Sequence, residues 1–407
     1  MNSEYSKKLN ELVLTKGVCL KKGEKVCINT SPSCYEWAKA MAKRAYELGA
    51  SYVMININDT DLDAFRSLVQ SQEEVSFVPE FYKHCAEERA RDGYVNIRLD
   101  SNEDRIGQTQ GDSDKLTKLN MAFRKAGKVA SDKYMSNALS WCVSCVPGPK
   151  WAKQLLGEDA TEDDLAKVLG KILRFDTPNY LKAWDDFDTE AKNRRDKLNS
   201  MKIKTLHYQS SVTDFYISLS PKAHFEGGSS VSKDNRRFFP NLPTEELFTT
   251  PDMYSANGYI KTTRPVNVLG SPTEGITFTF KEGKVIDVKA DKGLDMIKKY
   301  LEIDEGASRI GEVALVDIKA PISQTGLIFG SILIDENASC HIALGAGYPE
   351  TVTDSDKAKD DEELNKMGIN TSLMHTDFMV GSPDLKITAT TFDGQEVVIM
   401  ENGSFVI

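Results

Sequence analysis

KVCINTSPSCYEWAKAMAKRAYELGASYVMINI, residues 25–57, decides the fold of the first half of the chain. Residues 25–29 are a short, apolar, β-prone run and read as a strand. Ser31-Pro32 then supplies an N-cap and a proline at the first helical position. Cys34, Trp37, Ala38, Met41, Ala45 and Leu48 recur at helical spacing, and Gly49 stands where a helix end needs a left-handed residue. Residues 51–57 form a second strand. Strand, helix and strand at this spacing make a βαβ unit, whose strands run parallel.

The theme repeats outward. A helix over 79–91 precedes a strand over 94–99, and a helix over 114–129 precedes a strand over 139–146. The expectation is a mostly parallel α/β domain over residues 10–200. The turn after its first strand, Asn29-Thr30-Ser31-Pro32-Ser33, has no glycine to admit a pyrophosphate, and no GxxxxGK[ST] occurs, which argues against a nucleotide cofactor. Residues 161–201 read as a charge-dense helical connector or packed surface helix. After about residue 202 strands and turns take over. Strands are expected over 204–207, 213–219, 258–263, 275–280, 284–289, 314–316, 327–334 and 385–391, with one helix over 294–301. The fold class is therefore α/β plus α+β, with a β-rich domain over 201–407.

Composition bounds the function. The 407 residues exceed one ordinary domain, and 40% hydrophobic with 28% charged residues is a globular balance. Fifty-one basic against 61 acidic residues leave a charge of −10, which argues against nucleic acid or an anionic membrane as partner. Residues 1–8 lack the apolar core of a signal peptide, and the apolar stretch over 325–334 is far short of the roughly 20 residues of a membrane span. Seven cysteines form no disulfide framework, so the expected location is the cytoplasm. Cys142-Val143-Ser144-Cys145 is a CxxC, but it lies in a strand that points its two sulfurs to opposite faces, so it reads as structural.

Only five histidines are present, at 84, 207, 224, 341 and 375. His375-Thr376-Asp377, if extended, projects an imidazole and a carboxylate from one face, a pair suited to a divalent ion. In DENASCHIALGAGY (335–348), acidic groups and His341 follow the apolar run expected to be a buried strand, a costly arrangement unless paired or metal-bound. RIGEVALV (309–316) places Glu312 in an apolar run, with Arg309 as an alternative partner. PTEELFTTP (243–251) carries Glu245 and Glu246, either of which would also serve as a helix-end charge. The carboxylates of residues 354–366 are interleaved with lysines and read as an exposed loop or helix start. His84 and His207 read as structural, as does His224, which lies near enough to a strand end to line a pocket instead.

These segments, with NTSLMHTDFMVGS (370–382), resemble the signature segments of the M29 metallo-aminopeptidases, the group of aminopeptidases T, S and PepS. The resemblance is dense over most of 200–407 and looser before it. It implies that Glu246, Glu312, His341, His375 and Asp377 bind metal, with Glu336 as a further ligand, and that Tyr348 is the catalytic tyrosine. It implies a dinuclear site in the C-terminal domain, two divalent ions (zinc or cobalt, with manganese or magnesium also fitting), and short peptides with a free N-terminus as substrates. It also implies cytoplasmic homodimers whose sites open into an interior space. The residue types agree, since five or six N and O ligands exceed one tetrahedral zinc but suit two ions sharing a carboxylate, either Glu312 or Asp377. Such a pair would generate a bridging hydroxide at neutral pH, which makes Glu312 a catalytic residue as well as a ligand. Tyr348 would donate to the developing oxyanion, and either a metal-bound carboxylate or Glu245 would shuttle the proton. The competing readings are another two-metal hydrolase, of phosphoesterase or amidohydrolase type, and a non-catalytic binding protein with a vestigial site. A phosphate site would recruit more cations than Arg309 alone.

Overall fold

Lys25–Thr30 and Tyr52–Ile57 pair in parallel, Val26 beside Val53 and Ile28 beside Ile55. This is what the quoted stretch requires. The computed structural model describes residues 2–107 and 110–407. Pro32–Cys34 makes a 3-10 turn that leads into helix Tyr35–Glu47. Gly49, at φ +97°, closes the helix: its N–H reaches the Tyr46 carbonyl at 2.9 Å and the Ala50 N–H reaches Ala45 at 3.0 Å. The five-stranded parallel sheet runs in the order Asn241–Leu242, Trp141–Cys145, Val95–Asp100, Lys25–Thr30, Tyr52–Ile57. Its edge strand comes from the middle of the sequence, and Ser144 Oγ donates to the Leu242 carbonyl at 2.8 Å.

The chain divides into two units. The first ends at Trp184 and takes back Ser229–Pro243; the second comprises Asp185–Gly228 and Thr244–Ile407. In the first, helices Glu80–Arg91 and Ser113–Met135 follow their expected positions, the latter running on past the expected end through residues 130–135, which hold no glycine or proline. Helices Ser3–Leu12 and Thr60–Val69 were not expected; Asp59 caps the second, accepting from the Asp61 and Leu62 N–H groups at 3.1 Å. The helical stretch over 161–201 is two helices, Glu162–Ile172 and Tyr180–Ser200. Cys142 and Cys145 are buried free thiols, and burial raises both far above the ordinary thiol range, so neither is poised for redox work.

The second unit holds an eight-stranded antiparallel sheet and a five-stranded antiparallel sheet. The larger follows the expected strand pattern through Lys284–Lys289 and Lys386–Thr391, and helix Leu294–Leu301 lies where it was expected. One reading is corrected. Residues 327–334 form no strand: they are a loop leading into the short helix Ile332–Asp335. Gly326 and Gly330 take left-handed φ of +66° and +68°, and the Asp335 carboxylate accepts from the Phe329 and Ser331 N–H groups at 2.8 and 3.1 Å. Those bonds wind the chain back on itself, so hydrophobicity alone does not extend it. No described helix is long and apolar enough to cross a membrane.

Candidate metal centre

The five-stranded antiparallel sheet runs His375–Met379, His341–Gly345, Ile310–Val316, Glu246–Thr249, Glu226–Gly227. Its register sets the site. Phe248 pairs with Ala314 and Ala314 with His341, while Glu312 pairs with Ala343 and Ala343 with Asp377. Directly paired residues share a face, as do alternate residues along a strand. Glu246, Glu312, His341, His375 and Asp377 therefore project from one face, with the small residues Ala314 and Ala343 between them. The other face carries Leu247, Val313, Leu315, Ile342, Leu344 and Phe378, all part of the unit's hydrophobic core. Strand alternation thus assigns apolar residues to the core and ligand-type residues to the opposite side.

Ligand atoms converge in two groups, Glu246–Glu312–His341 and Glu312–His375–Asp377, each within 4.8 Å. Glu312 belongs to both and is 3% exposed. His341 Nε2 lies 3.3 Å from Glu246 Oε2, and His375 Nε2 lies 3.3 Å from both Glu312 Oε2 and Asp377 Oδ1. The other ring nitrogens face backbone carbonyls: His341 Nδ1 is 3.1 Å from Ser339 O and His375 Nδ1 is 2.7 Å from Ala346 O. A proton held at Nδ1 leaves each Nε2 lone pair aimed at the carboxylates, the arrangement of metal-binding histidines. Asp377 Oδ1 is buried, and with the His375 proton at Nδ1 it accepts no hydrogen bond. These features fit a cation in the cluster, because buried carboxylates at this spacing otherwise face repulsion and an unmet acceptor.

The electrostatics agree. Burial, together with Glu312 and Asp377, pushes the Glu246 carboxyl up to about 7 against the pull of His341. Burial would lower His341 and His375, but Glu246 and Glu312 around the first, and Asp377 and Glu312 around the second, outweigh it and raise both. Burial would raise Asp377, yet His375 holds it below the usual carboxylate range. Glu336 stands in neither converging group. It is close enough that burial, followed by the charges of Glu246, Asp377 and Glu312, raises its carboxyl well above normal.

Tyr348 lies beyond the end of strand His341–Gly345. Gly345, at φ +110°, turns the chain there; a Cβ would meet the Met374 carbonyl at 2.1 Å. The phenol oxygen sits 3.3 Å from His375 Nε2, and burial with the surrounding carboxylates keeps it protonated. Thr250 fixes this segment, accepting from the Tyr348 N–H at 2.7 Å and donating to its carbonyl at 3.1 Å, and Phe248 packs edge-on at 5.4 Å. Thr250 and the Ser339 and Ala346 carbonyls were missed by sequence reasoning. Thr250 lies inside a quoted segment but carries no chemical signal, and backbone carbonyls leave none.

The remaining candidates fall elsewhere. Arg309 pairs with Glu305 at 3.3 Å and stacks over Tyr254, so it is not the partner of Glu312. His84 is exposed beside Glu87, His207 bonds Asp214 at 2.7 Å, and His224 lies 3.4 Å from Glu226 on the sheet's edge strand. Residues 354–366 are a loop with short helix Asp361–Lys366.

Comparison with known proteins agrees with this geometry. The family described as thermophilic metalloprotease (M29) matches residues 2–405. Aminopeptidase AmpS of Bacillus subtilis is 34% identical over 98% of this chain and 99% of its own length. Aminopeptidase 2 of Geobacillus stearothermophilus is 33% identical over 98% and 97%. The structure of wild-type AmpT from Thermus thermophilus superposes with a TM-score of 0.90 at 29% identity, over 99% of both chains.

Proposed function

The chain belongs to the M29 metalloprotease family and is a metal-dependent aminopeptidase, and we propose that its shared-carboxylate cluster holds two divalent ions to hydrolyse the N-terminal peptide bond of short peptides. The observation that carries the dinuclear reading is the presence of Glu312 in both ligand groups. Glu246 and His341 would complete one half, and His375 and Asp377 the other, a donor set suited to zinc, cobalt or manganese. When bound, the ions supply Lewis acidity toward the scissile carbonyl and toward water.

The chain's own groups do the rest. The acidic face draws in a positively charged free N-terminus. Tyr348, held neutral beside His375, donates a hydrogen bond to the oxygen that gains charge as the carbonyl becomes tetrahedral. Glu336 adjoins the two groups and would serve as a further ligand, while a metal-bound carboxylate or Glu245 would take the proton of the attacking water and return it to the leaving amine. Seven free cysteines support a reduced, cytoplasmic setting. The exposed stripe Leu62, Phe65 and Val69, with Phe77 and Phe81, supports a homodimer.

The test strips the protein with chelator, restores Zn²⁺ or Co²⁺, and assays aminoacyl-anilides beside their N-acetylated forms. Metal-restored cleavage of free-amine substrates alone is the expected result. Cleavage of blocked substrates, or no metal-restored activity, sinks the proposal.

A further inference from the structure

A cavity of about 480 Å³ opens at the end of the metal-bearing sheet. Its lining includes Ala338 and Ser339, which lead into His341, and Val316, the cross-strand partner of Glu246. Among the described residues, one charged side chain lines it, Arg264. The guanidinium is partly buried, and its Nη1 donates to the Leu327 carbonyl at 2.8 Å. No described carboxylate lies within ion-pair distance of it. Asp335, the acid whose charge acts on it, spends its oxygens on the Phe329 and Ser331 N–H groups. Burial accordingly pulls the Arg264 value down, the mark of a cation short of compensation.

A peptide with two free ends has the complementary pattern, an ammonium at one end and a carboxylate at the other. Val316, which lines the cavity, stands about 5 Å across the ladder from Glu246, and an extended residue spans about 3.5 Å, so the cavity lies on the length scale of a short peptide from the strand that carries Glu246. We infer that Arg264 binds the free C-terminal carboxylate of short peptide substrates, and so sets a preference for short peptides over longer or C-terminally blocked ones. The inference rests on the aminopeptidase reading and adds the second end of the substrate.

The metal-loaded enzyme is assayed on Leu-Gly, Leu-Gly-Gly and Leu-Gly-Gly-Gly, on their C-terminal amides, and on leucine anilide. Charge-assisted hydrogen bonds of this kind predict a KM at least about tenfold lower for the free acid than for the amide at one or more lengths. Arg264→Met raises the free-acid KM to that of the amide and leaves the anilide within about twofold, while Arg264→Lys keeps part of the preference. Equal KM for acid and amide at all three lengths in the unmodified enzyme overturns the inference without any variant. So does Arg264→Met slowing acid, amide and anilide alike, which would mean that the cation only holds the Leu327 loop. Inactivity toward the anilide as well overturns the aminopeptidase reading, and this inference with it.

Discussion

Glu312→Gln isolates the charge that joins the two halves of the cluster. The substitution keeps shape and volume on a strand that is buried along its length. Glu312 is 3.3 Å from His375 Nε2 and belongs to both ligand groups, so the variant weakens two sites at once. At roughly 1.5–3 kcal/mol for each charge-assisted contact, two contacts amount to about 3–6 kcal/mol, or roughly 10²- to 10⁴-fold in metal affinity. The metal-free protein responds less. Glu312 adds to the upward push on Glu246 and Glu336 but also attracts the raised His341 and His375, so removing its charge trades relieved repulsion against lost attraction and leaves the chelated fold close to the parent's stability. Metal content after dialysis, melting temperature with chelator and with Zn²⁺, and initial rates on leucine anilide are measured for both proteins. The expected variant binds at most one ion, falls below about 1% of normal turnover, and melts close to the parent in chelator. Two retained ions with near-normal rates would refute the bridging role. A chelated variant melting well below the chelated parent would show that Glu312 holds the fold instead.

Tyr348→Phe keeps the ring packed on Phe248 and removes only the hydroxyl 3.3 Å from His375, so kcat should fall about 10²- to 10³-fold with metal content unchanged; loss of metal together with activity would reassign the tyrosine to ligand positioning. The metal-free fold binds a proton at Glu246 more tightly than the unfolded chain does. That stability is present below about 4.5 and is lost as pH rises through about 7. The raised His341 and His375 act in the same direction, and metal loading must displace these protons. Titrations with Co²⁺ should therefore show affinity rising from pH 6 to pH 8, and a flat profile would contradict the protonated metal-free cluster.

The βαβ unit was legible because its signals are local: an apolar run, a Ser-Pro start, a helical stripe and a glycine stop, all within residues 25–57. The run over 327–334 misled for the same reason. Its apolar residues fit a strand, but the two left-handed glycines and the Asp335 carboxylate that bend it act through geometry that composition does not record. The strand Asn241–Leu242 could not be foreseen, since its partner lies about a hundred residues away.

The sequence by itself determined the chemical types of the site and their alternation. Glu312 stands among apolar residues, and His375 and Asp377 share strand parity, so each must leave the core on the same side as its neighbours. Only the tertiary structure decided which of these residues meet. Antiparallel register aligns Glu312, Ala343 and Asp377 across three strands and places Glu312 in both ligand groups, while Glu336 stays beside them. It also decided that Arg264 faces a cavity without a carboxylate partner. Register and cavity both arise from contacts between segments far apart in the chain, so neither is encoded in any single stretch of it.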